Sequence, residues 1–261
     1  MRKYTSLFCL LGAFSAGAVT PNEVFYLPKT GQWMMEGRAE WIRTFDHTGT
    51  DTTTALKGMY GIDGGKAGFV RVGSLAGETP ILFERAFGRL PAIPEIGARI
   101  LDNVLGLDTA LEVAYGTGRF SSDRRNYDKV SGRFTVGKKD GLLRGGAFVG
   151  GNYFFHFHKN AFEGERRLKN MTRWTFGGQV AYDIAPNWTV QGDYEHTFKE
   201  RVAVLSVHKS LKNPVDTATL SLTYEFKPNA YITPYAGYTW ITKGYGMKDT
   251  KIFGVKMAVS F

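Results

Sequence analysis

Five histidines mark where chemistry would be sought first: His47, His156, His158, His196 and His208. A hydroxyl nucleophile needs a base within hydrogen-bond reach and a third group to orient that base. Ser206 and His208 stand two apart, with Ser210 beyond, and on a strand that spacing puts them on one face. No motif surrounds them, and they read as polar loop residues. Asp193 and Glu195 share a face and have the types of an acid–base pair, but His196 points the other way. His156 and His158 share a face and would need a third ligand from elsewhere to hold a metal. There is no G-x-S-x-G, no H-E-x-x-H and no phosphate-binding loop. GIDGG, from Gly61 to Gly65, reads as a hairpin turn. No enzymatic activity, cofactor or metal is expected.

The elements that carry these residues alternate apolar and polar side chains, the period of a strand with two unlike faces. In TATLSLTYEF, Ala218, Leu220, Leu222, Tyr224 and Phe226 oppose Thr217, Thr219, Ser221, Thr223 and Glu225. Trp174, Phe176, Gly178, Val180 and Tyr182 oppose Thr175, Gly177, Gln179, Ala181 and Asp183. Trp188, Val190, Gly192 and Tyr194 oppose Thr189, Gln191, Asp193 and Glu195. The last segment sets Phe253, Val255, Met257, Val259 and Phe261 against Ile252, Gly254, Lys256, Ala258 and Ser260.

The chain has 261 residues, 43% hydrophobic and 22% charged, with a formal charge of +9. That hydrophobic content excludes a disordered chain. The single cysteine excludes a disulfide framework and a cysteine-based zinc site. The N-terminus has Arg2 and Lys3, an apolar core from Leu7 to Phe14, and Ala16-Gly17-Ala18. This reads as a secretory signal over 1–18, with residues 19–261 as the exported domain. Cleavage would remove Cys9 and two of the positive charges. No later stretch approaches the 18 apolar residues of a membrane helix.

A soluble β-sandwich would alternate too. Aromatics at the ends of the apolar faces, small and charged residues on the polar faces, and connections alternating short and long favour a transmembrane antiparallel up-and-down β-barrel. Strands are expected at 32–45, 53–62, 66–75, 79–88, 108–118, 129–138, 142–156, 171–183, 187–198, 215–226, 230–241 and 251–261. Short turns then fall on one rim and long loops on the other, with both termini on the short-turn rim. Residues 89–107 are expected as a long connection with a short helix. Residues 201–208 read as extra strand, so ten or fourteen strands are the alternatives to twelve.

The signal-like N-terminus, the turn from Tyr182 to Trp188 and the ending Phe253, Val255, Met257, Val259, Phe261 together resemble a Gram-negative outer-membrane β-barrel protein of porin-like build. No narrower family emerges. The resemblance implies export to the outer membrane, contact with its lipid and lipopolysaccharide, and reading of that last strand by the barrel-assembly machinery.

Inside lipid every backbone N–H and C=O needs a partner within the protein, and a closed barrel supplies them. With twelve strands, side chains decide whether the interior is open. The alternation puts Glu36, Arg38, Glu40, Glu112, Arg133 and Arg144 inside, with Gln179, Gln191, Asp193, Glu195, Glu225 and Lys256. Acidic groups slightly outnumber basic ones there. Gly146, Gly150, Gly177 and Gly254 would leave space. The basic excess falls in the expected outer loops at 118–129, 156–171, 198–215 and 241–251, suited to lipopolysaccharide phosphates or to steering anionic solutes. An exported barrel makes nucleic acid an unsuitable partner despite the pI near 9.5. The expected function is a passive channel for small hydrophilic solutes. The alternative is a closed barrel with a binding, adhesive or envelope-structural role through its basic loops, and an outer-membrane hydrolase is a minor third.

Overall fold

Alternating apolar and polar side chains become the two faces of one sheet that closes on itself. The computed structural model describes residues 19–44, 51–73, 95–119, 126–158, 171–198, 215–241 and 250–261. Among these there are twelve strands and no helix. They are β1 (Trp33–Thr44), β2 (Asp51–Ile62), β3 (Lys66–Gly73), β4 (Glu95–Val104), β5 (Leu107–Arg119) and β6 (Asn126–Asp140). β7 (Leu143–His158), β8 (Met171–Ala185), β9 (Trp188–Thr197), β10 (Val215–Lys227), β11 (Ala230–Ile241) and β12 (Thr250–Ser260) complete the wall.

Each strand pairs antiparallel with its neighbours, and β12 returns to β1. The closing register runs from Met34 opposite Ser260 to Thr44 opposite Thr250. Beyond it Trp33 and Phe261 exchange two backbone hydrogen bonds of 2.9 Å. Closure leaves no strand edge, which lipid would not tolerate.

The outer face inverts the pattern of a water-soluble protein. Leu56, Ile96, Val149, Val180, Leu220 and Phe253 are all exposed, a band that only an apolar surrounding satisfies. Aromatic pairs edge it at both ends. Trp33 meets Tyr60 at 4.9 Å and Trp188 stacks on Tyr224 at 4.3 Å near one rim. Phe176, Tyr194 and Trp240 meet at 6.5 and 6.4 Å near the other. Rings suit the interface because one end is apolar and the other polar.

Five tight turns lie on the rim that also holds Trp33 and Ser260. They need left-handed backbone, supplied by Gly64 and Gly106 at φ 73° and 79° and by Asn229 at φ 62°. GIDGG is one of them, bridging β2 to β3. The longer connections all leave the opposite rim.

One segment differs from expectation. The fourth strand is Glu95–Val104, inside the stretch expected as a long connection. It turns into β5 through Leu105-Gly106 alone. Residues 79–88 lie outside the described residues, as do 1–18 and 201–208. Among the described residues the strands still number twelve, and the others run in the expected directions. Ile96, Ala98 and Ile100 do alternate with Glu95 and Arg99. Two prolines upstream and an apolar turn hide that period: Leu105 is 98% exposed at a position where Asn or Asp is usual.

Residues 19–32 are not part of the wall. The chain enters the lumen from the short-turn rim. Tyr26 there joins a buried cluster with Met34, Met59, Ala67, Phe69, Ala114, Tyr231 and Ala258.

Candidate functional site

The lumen holds a cavity of about 340 Å³ that begins at the outer strand ends, by Thr197, Val215, Thr239 and Ile252. It ends inward on Pro21, Asn22, Glu23 and Val24. Six cationic and six carboxylate side chains line it.

Most of these charges are tied to one another along the wall. Arg38 bonds Glu40 and donates from Nε to Tyr235 Oη at 2.8 Å, while Tyr235 Oη donates to Glu40 at 2.6 Å. Arg99 Nε donates to Glu112 at 2.9 Å. Arg71 Nε donates to Glu95 at 2.7 Å, and Lys129 takes the same carboxylate from the other side. The opposite wall is satisfied by neutral donors. Asp193 accepts from Gln179 at 2.7 Å and from Gln191 at 2.9 Å. Beyond it Thr217, Thr219 and Ser221 present hydroxyls to the cavity. Of the three cations outside these pairs, Lys256 reaches Asn22 of the luminal segment and the other two rest on rings. The Arg133 guanidinium stacks 3.4 Å above Phe148, and Lys57 sits 5.3 Å from the Phe69 ring centre.

Below the cavity the luminal segment is held at many points. Arg144 donates from Nη2 to Glu23 at 3.0 Å and from Nη1 to Asp183 at 2.6 Å, all three side chains being buried. Val24 N–H donates to Gln179 at 2.8 Å, and Asn22 Nδ2 to Ser221 at 3.0 Å. Lys256 donates to Asn22, and Arg99 Nη1 to the Tyr26 carbonyl at 3.2 Å. Tyr26 Oη bonds Ser260 at 2.6 Å. Burial pushes the Tyr26 phenol above its ordinary pKa.

The luminal glycines do not leave open space, contrary to the expectation from sequence. A Cβ on Gly254 would lie 2.2 Å from the Tyr235 ring, and one on Gly177 would lie 2.6 Å from Phe148. Gly146 faces Phe25 of the luminal segment at 3.1 Å. At Gly150 the nearest atom is the Thr175 hydroxyl, at 3.0 Å. These glycines admit rings and close neighbours, not solute.

Ten of the twelve residues placed inside from sequence border the cavity: Glu36, Arg38, Glu40, Glu112 and Arg133, with Gln179, Gln191, Asp193, Glu195 and Lys256. Arg144 lies inside but beneath it, turned to Glu23 and Asp183. Glu225 caps a turn at the inner rim, where Asn229 N–H donates to it at 2.8 Å. Sequence reasoning leaves out Lys57, Arg71 and Arg99. Lys57 was legible, since it alternates with Leu56 and Gly58. Arg99 falls on the strand taken for a connection. Their addition makes the lining balanced in sign, not slightly acidic. The luminal segment is the larger omission, because Pro21 to Tyr26 carries no period and reads as a linker.

His196 faces outward, away from Asp193 and Glu195. Its Nδ1 lies 2.8 Å from the Asp216 carboxylate, which also accepts from Tyr194 Oη at 2.6 Å. Among the described residues no serine or threonine hydroxyl bonds the other ring nitrogen. This pair sits among Phe176 and Phe198 in the outer aromatic belt. His156 and His158 end β7, and their side chains lie outside the described set, as do His47, Ser206, His208 and Ser210. Among the described residues no three His, Cys, Asp or Glu side chains converge to hold a metal. Phe253, Val255, Met257, Val259 and Phe261 share the outer face of β12, with Val255 the least exposed of them.

With this geometry the chain can be set beside solved structures. An outer-membrane channel from Pseudomonas putida F1 superposes with a TM-score of 0.63 at 11% identity, over 94% of this chain and 100% of that one. The NanC porin superposes with a TM-score of 0.57 at 13% identity, over 86% and 98%. The fold is that of a porin-like outer-membrane β-barrel. At such identity the likeness speaks for the barrel and not for its cargo. No family model matches the sequence, and no curated protein matches it. The porin-like barrel here differs from a bare tube in one respect: its own N-terminal segment occupies the inner half of the lumen.

Proposed function

We propose that this protein is a passive channel for small hydrophilic solutes in the outer membrane of a Gram-negative bacterium. The observation that carries the reading is the charge-lined cavity reaching from the outer strand ends to the middle of the barrel. A lumen meant only to be filled would be packed, whereas this one keeps about 340 Å³ of polar space at its outer end. Its charged lining would select among solutes, as rings of charge do in other pores. The barrel fold shared with an outer-membrane channel and a porin supports the same reading.

A second reading, a closed barrel that binds at its outer side, is favoured by the luminal segment flooring the cavity. Swelling of proteoliposomes in small sugars and amino acids separates the two. A channel gives swelling rates that fall with solute size. Folded barrel in vesicles that never swell would favour the binding reading. On neither reading do the wall residues carry out a reaction.

A further inference from the structure

Residues 19–26 stand between two cavities. Pro21 to Val24 floor the outer one, while Val19 and Phe25 border an inner one of about 260 Å³ with Asp102, Asp108 and Arg144. The segment is fastened differently from the wall. Strand joins strand by continuous ladders of backbone hydrogen bonds. The chain between it and β1 touches the sheet backbone at Gly61, through an isolated bridge from Thr30, the Gly31 N–H to Gly61 carbonyl bond and the Gly61 N–H to Gln32 carbonyl bond. Farther in, side chains hold it: Gln179 to Val24, Ser221 and Lys256 to Asn22, Arg144 to Glu23, and Arg99 and Ser260 to Tyr26, whose ring also packs against Met34, Met59 and Phe69. The bonds to Asn22 and Val24 border the outer cavity, where water can replace a partner, whereas the Glu23–Arg144 pair is buried between the two cavities. Between the segment and β1, Gly31 takes φ 81°, a position open to backbone rotation.

We propose that residues 19–26 are a displaceable plug. Seated, the plug separates the outer cavity from the inner rim. Swung away about Gly31, it joins the two cavities into one path. The Glu23–Arg144 ion pair is its latch, and Asp183 keeps Arg144 in position when the latch opens. The proposal rests on the channel reading above and adds the moving part that such a channel needs.

The test is single-channel recording on three refolded proteins: the chain from Val19 onward, the same chain without residues 19–26, and its Glu23→Gln variant. Heat-modifiable gel migration checks that each is folded. In the last, Arg144 retains Asp183, so no cation is stranded. The parent should open rarely, and the truncated chain should conduct steadily. Glu23→Gln should raise the open-to-closed ratio roughly tenfold at an unchanged step size, as expected for loss of one charge-assisted contact. A parent that conducts steadily, with neither variant differing from it, would overturn the plug and leave the channel standing. Silence from all three folded proteins would overturn both. Should the truncated chain not fold, an unchanged open fraction in Glu23→Gln overturns the plug by itself.

Discussion

Glu23 and Arg144 form a buried ion pair across 121 positions of sequence, and Asp183 completes it from the neighbouring strand. One guanidinium thus serves two carboxylates, one on the wall and one on the segment within it. Arg has the fork geometry for this, presenting separate edges to separate partners. The arrangement binds the luminal segment to β7 and β8 at a site that water reaches poorly.

Arg144→Ala would strand both carboxylates. Breaking a buried pair by removing one partner costs about 3–5 kcal/mol, so urea unfolding of the refolded barrel in detergent should show a loss of that order. The double variant Arg144→Ala with Glu23→Ala should lose less than the sum of the singles, because one stranded charge is gone. A stability within about 0.5 kcal/mol of the parent for Arg144→Ala, the range of an ordinary surface change, would contradict the buried pair.

The luminal glycines offer a paired comparison. Gly254→Val must displace the Tyr235 ring and with it the bonds to Arg38 and Glu40. Overpacking of this kind costs about 1–3 kcal/mol. Gly132, with no atom within 4 Å of its missing Cβ, should accept alanine without loss. Equal melting temperatures for Gly254→Val and Gly132→Ala would show that the Tyr235 ring does not lie against Gly254.

The barrel was legible because its period is written in every long strand. Glu225 and Arg144 fall on the inner faces of their strands, since alternation alone decides the face of a residue. Alternation does not decide depth, so neither was separated from the residues that border the cavity. β4 escaped because its lipid face is only Ile96, Ala98 and Ile100 and its turn is apolar. The luminal segment escaped for a different reason. Its polar bonds to the wall reach residues more than 70 positions away, such as Tyr26 to Arg99 and Asn22 to Ser221, and no local pattern encodes them. The glycines misled because a missing side chain marks room without saying what fills it.

Ion preference should depend on the cavity cations outside the ion pairs, Arg133 and Lys57 among them. Among the described residues neither Arg133 nor Lys57 lies within ion-pair distance of a carboxylate, so their charge is the least cancelled in the cavity. Arg133→Ala and Lys57→Ala should each move the reversal potential in a salt gradient toward cation preference. Arg38→Ala should move the potential the same way, because it leaves the Glu40 carboxylate without its cation. An unmoved potential in both ring-resting variants would place the selecting charges elsewhere.

Phe261 ends the outward-facing row of β12, and its backbone closes the barrel against Trp33. Phe261→Ala keeps those backbone bonds. If the terminal ring is read by the barrel-assembly machinery, the variant should refold normally in detergent yet appear at a reduced level in the membrane of cells. Equal levels in cells would remove the ring from that role.

The most direct measurement is planar-bilayer recording of the refolded chain from Val19 onward, beside the chain lacking residues 19–26. A path through the lumen predicts discrete current steps, infrequent in the first and sustained in the second, with amplitudes that scale with salt. Absence of any step from both, in protein demonstrably folded, would contradict a channel and leave a closed barrel whose function lies at its outer surface.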